Sequence, residues 1–265
     1  MRDIPPLTFA GLRYVLAFMC LLPFTLTKEK IAEVKKLDPK DWLRLTVLGL
    51  LFYTFTQGTQ FIGLSLLPAV TVSLLLNFTP IIVAVMGIFL LSEKPTMLQW
   101  LGTSLFIIGI LAYFYPVDLS ESKTLGIIVM TIGVFSNAFS SVLGRGINRS
   151  GKFHPLTVTV VSMGIGSIIM LIIGLATQGL PHLSLTNILF LLWLSVVNTA
   201  FAFTLWNLSL RTLTAMESSI INGTMLIQIA FLAWIFIGEP VTWKEGIGMF
   251  IAAAGATVVQ IKRRN

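Results

Sequence analysis

The chain has 265 residues, of which 55% are hydrophobic and only 11% are charged, whereas about 25% of an average soluble domain is charged. Its mean hydropathy of +0.90 excludes a disordered chain and a soluble globular protein, because neither class carries so much apolar surface. The net charge is +7 and Cys20 is the one cysteine, which excludes an internal disulfide framework. The composition predicts an integral membrane protein made of helices.

Nine apolar runs are long enough to cross a bilayer, which takes about 20 residues as a helix. They are predicted at residues 7–26, 43–66, 69–91, 97–115, 125–143, 156–176, 187–208, 215–237 and 241–261. The links are short and rich in helix breakers, apart from residues 27–42, which leave room for a short surface helix. The predicted fold class is an all-α membrane protein with nine transmembrane helices.

Apart from Arg13, which lies within the first predicted helix, the 18 Lys and Arg residues are distributed unevenly between the two predicted sides of the membrane. One side collects Lys28, Lys30, Lys35, Lys36, Lys40, Arg44, Lys94, Arg145, Arg149, Lys152, Arg211, Lys262, Arg263 and Arg264. The other side has Arg2, Lys123 and Lys244. The positive-inside rule therefore predicts a multi-pass protein of the cell membrane with a cytoplasmic C-terminus, and nine crossings then place residue 1 outside. Charges confined to short loops form no continuous surface for nucleic acid.

An internal repeat relates the two halves of the chain. The recurring elements, 144 to 146 residues apart, are residues 64–66 with 208–210, Glu93 with Glu239, Gly102 with Gly248 and Gly109 with Gly255. A repeat unit with an odd number of crossings inverts its second copy. We therefore predict two inverted repeats, residues 1–116 with four helices and residues 125–261 with five, an arrangement typical of transporters. The alternative is chance similarity among apolar helices.

Three motifs accompany the repeat. They are PPLTFAGLRY at residues 5–14, NFTP at residues 77–80 and Gly-Glu-Pro at residues 238–240. With these motifs the chain resembles, over residues 5–261, the EamA branch of the drug/metabolite transporter superfamily. The resemblance implies ten helices in two inverted bundles of five, and transport of small organic molecules. The sequence departs from the family in lacking its first helix and in replacing the second copy's proline around Met225-Leu226.

The first departure gives an expectation about the N-terminus. Nine crossings require residue 1 outside, although Arg2 and Arg13 oppose that under the positive-inside rule. An upstream apolar segment of about 20 to 30 residues, sized to span a bilayer, removes the conflict. We therefore expect such a segment to be encoded before Met1.

Polar and aromatic residues within the runs predict a central substrate cavity. The candidates are Tyr53, Gln57, Gln60, Asn77, Asn198, Trp206 and Asn222. The first three, spaced by four and three residues, share one helical face, and that face should point inward because an unsatisfied amide in lipid is costly. The alternatives are hydrogen bonds that hold helices together and, for Trp206, a place in the interfacial aromatic belt.

Four further residues are interpreted individually, two of them with alternatives. One interpretation of Arg13 is an anchor for an anionic substrate group or for a neighbouring helix. The other is a side chain that extends to the outer headgroups. Glu217 either complements a helix dipole or couples transport to a proton. Pro80 predicts a kink, and Asn137 is interpreted as a helix-packing residue.

The sequence contains no zinc pair, paired acids, nucleophile elbow or glycine-rich phosphate loop. We therefore predict no enzyme activity, no metal, no cofactor and no hydrolysis of ATP within this chain. The first hypothesis is a secondary transporter of small organic metabolites, whose partners are a small-molecule substrate, the bilayer, a coupling proton or ion and, in a homo-oligomer, further copies. The alternatives are a passive, channel-like facilitator and a non-transporting scaffold or partner subunit.

Overall fold

The computed structural model describes residues 5–116, 124–181, 183–238 and 241–261, and this part of the chain is helical without strands. The helices are α1 (Pro6–Leu21), α2 (Lys28–Lys35), α3 (Pro39–Gly49), α4 (Gln57–Leu66), α5 (Ala69–Leu76), α6 (Thr79–Leu91), α7 (Met97–Phe114), α8 (Thr124–Arg149), α9 (Pro155–Gln178), α10 (Leu185–Ser195), α11 (Ala202–Ser209), α12 (Ala215–Gly223), α13 (Met225–Ile237) and α14 (Trp243–Gln260). Two π-helical segments, Leu50–Thr56 and Val196–Phe201, join α3 to α4 and α10 to α11.

Seven of the described helical stretches are long and apolar enough to cross a membrane. They are Pro6–Thr25, Thr71–Leu91, Met97–Phe114, Thr124–Arg149, Pro155–Gln178, Leu185–Ser209 and Ala215–Phe236. The other two predicted runs are also helical, but Gln57 and Gln60 in one, and Lys244 and Glu245 in the other, lower their hydropathy. The all-α, multi-pass architecture is confirmed, and the count of nine crossings stays a prediction.

Two of the predicted runs are interrupted near their middle. Between α5 and α6, Asn77 and Phe78 form a turn, and Pro80 lies in the first turn of α6. Proline is well tolerated there, because the first N–H groups of a helix have no partner within it. The predicted kink at Pro80 is thus a complete break that begins three residues earlier. The second break, at Thr224 between α12 and α13, forms without a proline.

The last three elements of each half correspond in position. Helices α5, α6 and α7 begin at Ala69, Thr79 and Met97, and α12, α13 and α14 each begin 146 residues later. Both members of the last pair also begin with a capping box, Thr96 with Gln99 and Thr242 with Glu245. The internal similarity of the sequence therefore has a counterpart in the bounds and caps of the helices.

Helices α7 and α14 pack closely and run in opposite directions. A methyl group on Gly102 would lie 2.7 Å from the carbonyl oxygen of Gly255, and one on Gly109 would lie 2.7 Å from that of Gly248. Such small residues let two helix backbones approach within a membrane. The recurring glycines of one half therefore lie against those of the other, in reversed order.

His154 caps α9 in its neutral form, and this cap predicts a stability that depends on pH. Its Nδ1 accepts a hydrogen bond from the backbone N–H of Leu156, and burial, with nearby Lys30 and Arg211, lowers the pKa of the imidazole from 6.5. The unfolded chain therefore takes up a proton that the folded chain resists. We expect the melting temperature in detergent to fall as the pH drops from about 7.5 to 5.5, around the unperturbed pKa of histidine.

The variant His154→Asn keeps a capping acceptor without a titrating group, so its melting temperature should depend less on pH in that range. The carboxyl of Asp38, whose pKa is lowered from 3.8 by a hydrogen bond from the Asp41 backbone, titrates below that range. Superimposable pH profiles of the variant and the wild type would show that His154 has no such role.

Candidate functional site

A cavity of about 460 Å³ lies where the two helix breaks and the two π segments come together. Its polar lining consists of Arg13, Tyr14, Thr56, Gln57, Gln60, Ser73, Asn77, Thr79, Asn137, Asn198, Trp206, Ser219 and Asn222. Aromatic rings of Phe52, Phe61 and Phe203 add apolar walls. Its volume is in the range of about 300–1,000 Å³ that small-molecule sites occupy.

The structure brings six of the seven predicted cavity residues together. They are Gln57, Gln60, Asn77, Asn198, Trp206 and Asn222. They come from both halves of the chain, and Trp206 is half-buried against the cavity. Their common location is an observation, whereas their contact with a substrate stays a prediction.

Tyr53 lies one layer behind the cavity wall and is fully buried. Its ring packs against Tyr14, Phe52 and Phe203, with centroid distances of 5.6, 5.1 and 5.5 Å. The predicted common face with Gln57 assumed α-helical spacing, but Tyr53 belongs to the π segment Leu50–Thr56. The wider π turns rotate Tyr53 away from the glutamines, so it supports the lining and does not form it.

Arg13 points into the protein from α1 and lines the cavity. Its Nε donates to Thr199 Oγ1 at 2.8 Å, and its Nη2 donates to the carbonyl oxygen of Asn198 at 3.4 Å. Among the described residues, no carboxylate oxygen lies within 4.0 Å of its guanidinium. The guanidinium is thus held by hydrogen bonds to the second π segment.

The two helix breaks meet at the cavity. Asn77 and Gly223 occupy equivalent positions 146 residues apart, and a methyl group on Gly223 would lie 3.3 Å from Asn77 Oδ1 and 2.6 Å from the Phe106 ring. Asn77 Nδ2 donates to the carbonyl oxygen of Ser73 at 2.8 Å, while its Oδ1 is buried without a partner in the described structure. An unpaired acceptor therefore faces the point where the halves join.

Glu217 lies outside the cavity lining, at the start of α12. It forms a capping box with Thr214, whose backbone N–H donates to Glu217 Oε2 at 2.9 Å. Its other oxygen accepts a hydrogen bond from Gln99 Nε2 at 3.1 Å. These bonds match the interpretation of Glu217 as a residue that stabilises a helix N-terminus.

Glu93 joins three helices at the same end of the bundle. Its Oε1 accepts from Arg145 Nε on α8 at 3.1 Å, and its Oε2 accepts from the backbone N–H of Ala215 on α12 at 3.1 Å. Both charged side chains are 9% exposed. The equivalent Glu239 lies outside the described residues.

Sequence reasoning missed several lining residues. Asn137 lines the cavity, and its amide within an apolar run is the same signal that identified Asn198. Thr56 and Ser219 gave no signal, because hydroxyl groups can bond within their own helix, as Thr56 Oγ1 does to the Leu51 carbonyl at 2.8 Å. In the part of the chain that the structure describes, no cluster of His, Cys, Asp and Glu residues could hold a metal ion.

Comparisons with known proteins agree with this architecture. An uncharacterised transporter of Archaeoglobus fulgidus is 23% identical over 99% of this chain and 90% of its own length. The uncharacterised transporter YvbV of Bacillus subtilis is 29% identical over 98% of this chain and 84% of its own. A probable amino-acid metabolite efflux pump of Salmonella typhimurium is 24% identical over 96% and 85%. A solved crystal structure shares the fold, with a TM-score of 0.78 and 13% identity over 97% of this chain and 88% of its own.

Multi-pass helices around a polar central cavity, and relatives named as transporters, define a membrane transporter. The chain belongs to the EamA-like transporter family, whose model matches residues 1–115 and 124–261. Relatives of this family belong to the drug/metabolite transporter superfamily that the sequence motifs indicated.

Proposed function

We propose that this protein is a secondary transporter that moves small organic metabolites by alternating access through the central cavity. The observation that carries the proposal is the contact between Asn77 and Gly223, where two helix breaks at equivalent positions meet in the cavity. Broken helices at the interface of inverted repeats are typical of binding sites in secondary transporters. The Salmonella typhimurium relative, named for amino-acid metabolites, supports substrates of that size.

In this proposal, residues 1–116 and 125–261 act as two inverted repeats that rock against each other around the cavity. The distribution of Lys and Arg supports a cytoplasmic C-terminus in the cell membrane, with residue 1 on the outer side.

The cavity also favours transport over a scaffold, because a scaffold needs only packed helices. A screen of amino acids, nucleosides, sugars and amines by thermal shift identifies ligands, which are then tested for uptake into proteoliposomes.

We expect Gln57→Leu and Asn77→Leu each to lower the uptake of such a ligand about tenfold or more. The reason is that a polar site loses about that factor in affinity when one hydrogen-bonding partner is removed. Apolar substitutions should still allow membrane insertion. The matched control is Gln228→Leu, which removes an exposed amide of α13 outside the cavity lining. Normal uptake by both cavity variants, or an equal loss in the control, would contradict the assignment of the cavity.

The same vesicles separate a coupled transporter from a passive facilitator. With an imposed proton or sodium gradient, a coupled transporter accumulates its substrate above the outside concentration, and the gradient's collapse abolishes the accumulation. A facilitator only equalises the two concentrations under every gradient. If the substrate concentrations inside and outside only become equal, the coupled mechanism is wrong, while the cavity remains the proposed route for the substrate.

A further inference from the structure

Arg13 is held in place by bonds that leave one of its nitrogens free. The hydroxyl of Thr199 donates to the Leu194 carbonyl at 2.9 Å, so its oxygen has a lone pair for Arg13 Nε at 2.8 Å. Nη2 reaches the Asn198 carbonyl at 3.4 Å. Within the described ranges Nη1 donates to no acceptor, so the guanidinium of this cavity-lining residue is fixed by its neighbours while one of its nitrogens has no partner.

The cavity lining carries formal charge of one sign only, which is positive, among the described residues. Arg13 is the only lining residue of the described structure that carries a formal charge at neutral pH. The buried carboxylates of Glu93 and Glu217 are engaged at the start of α12 and do not line the cavity. An unpaired cation inside a membrane protein is costly, so an anion that enters gains a strong charge-assisted partner, whereas an amine meets a like charge.

A second observation points to a polar ligand at Asn77, another residue of the cavity lining. Asn77 is 7% exposed, and its Nδ2 bond to the Ser73 carbonyl identifies the remaining atom as the oxygen. That Oδ1 and the nearby Thr79 Oγ1 are both buried without a hydrogen-bond partner in the described chain. A buried acceptor without a donor is unfavourable, so an N–H group of a bound ligand would satisfy it.

We propose, on the basis of the transport function above, that Arg13 binds the carboxylate of the transported molecule and that Asn77 Oδ1 accepts an N–H from it. The substrate class is small organic carboxylates with an apolar body, which Phe52, Phe61 and Trp206 accommodate. Amines that lack a carboxylate are excluded by the charge of Arg13. Neither residue takes part in a covalent step.

The test compares ligands that differ only in the charged group. The probes are 3-phenylpropanoate with 3-phenylpropanamide, and N-acetylphenylalanine with its carboxamide, added to purified wild-type protein, Arg13→Gln, Arg13→Lys and the control Arg149→Gln. Arg149 lies outside the cavity lining and donates to the Leu91 carbonyl at 3.3 Å. Binding is measured by thermal shift and competition, and uptake in proteoliposomes.

We expect the wild type and Arg149→Gln to favour each carboxylate over its carboxamide by about 10- to 100-fold, as the loss of a charge-assisted hydrogen bond implies. Arg13→Gln should bind both members equally, and Arg13→Lys should keep part of the preference because it keeps the charge. A merely structural role of Arg13 would weaken both members alike and leave their ratio unchanged, which would overturn the proposal.

Asn77 is tested with the same protein. Asn77→Leu should weaken the binding of N-acetylphenylalanine, which carries an N–H, much more than the binding of 3-phenylpropanoate, which has none. If the affinity for both falls equally, the role of Asn77 as an acceptor is wrong. A wild type that transports other compounds but shows no carboxylate preference overturns the proposal and leaves the transport function intact, whereas no uptake of any screened compound contradicts the transport function itself.

Discussion

Alanine in place of Gly109 should destabilise the protein by about 1–3 kcal/mol, the usual cost of inserting a methyl group into a close-packed interface. Its methyl group would lie 2.3 Å from the Ala252 backbone nitrogen and 2.7 Å from the Gly248 carbonyl oxygen. Backbone atoms cannot move aside alone, so α7 and α14 must separate. Because Phe106 on α7 packs against Gly223 at the cavity, we also expect lower transport activity.

The control for this substitution is Gly246→Ala, one turn from the start of α14. A methyl group there meets no atom of the described chain within 4 Å. Alanine is a better helix former than glycine by about 0.8–1.0 kcal/mol, so Gly246→Ala should melt at or above the wild-type temperature in nanodiscs. If Gly109→Ala melts like Gly246→Ala, the close contact between α7 and α14 is wrong.

Removal of the charge on Glu93 should destabilise the protein by about 3–5 kcal/mol, the range measured when one partner of a buried ion pair is lost. In Glu93→Gln, Arg145 keeps its hydrogen bond to the Leu210 carbonyl at 2.8 Å but loses its carboxylate. The same change weakens the bond to the Ala215 N–H. We expect a lower melting temperature and easier separation of α6, α8 and α12 at this end of the bundle, measured by amide hydrogen exchange.

Two further variants isolate the buried charge as the cause. The double variant Glu93→Leu/Arg145→Met removes both charges and should recover part of the stability, because no unpaired charge is left. Asp38→Asn weakens the exposed pair with Lys152, whose side chains are 52% and 49% exposed, and should change the melting temperature little. Equal losses in Glu93→Gln and Asp38→Asn would show that burial does not govern the Glu93 pair.

Hydropathy located the helices because a membrane segment needs a continuous apolar stretch, and every predicted run coincides with a helix or a pair of helices. It did not locate the break at Thr224, which lacks the proline that marks the break before Pro80. There Gly223 has weak helix propensity, and its close approach to Phe106 is a tertiary contact that no local pattern reveals.

The polar residues of the cavity were predictable for a similar reason, since amides within lipid must face a partner. Tyr53 was misplaced because a π segment has no local sequence signature, and its extra width changes which residues share a face. The sequence interpretation of Asn137 as a packing residue does not include its place in the cavity lining. Sequence alone cannot distinguish a helix-packing amide from a cavity-lining amide, because both roles require a polar side chain that points inward.

The contact between Asn77 and Gly223 limits how alike the two halves can be. If the chain carried asparagine at both positions, the second side chain would have to occupy space that the Phe106 ring and the Asn77 amide already fill. If it carried glycine at both, the amide of Asn77 would be lost from the cavity. Identical residues at these two positions would therefore give either a collision or a gap, and the difference between Asn77 and Gly223 avoids both.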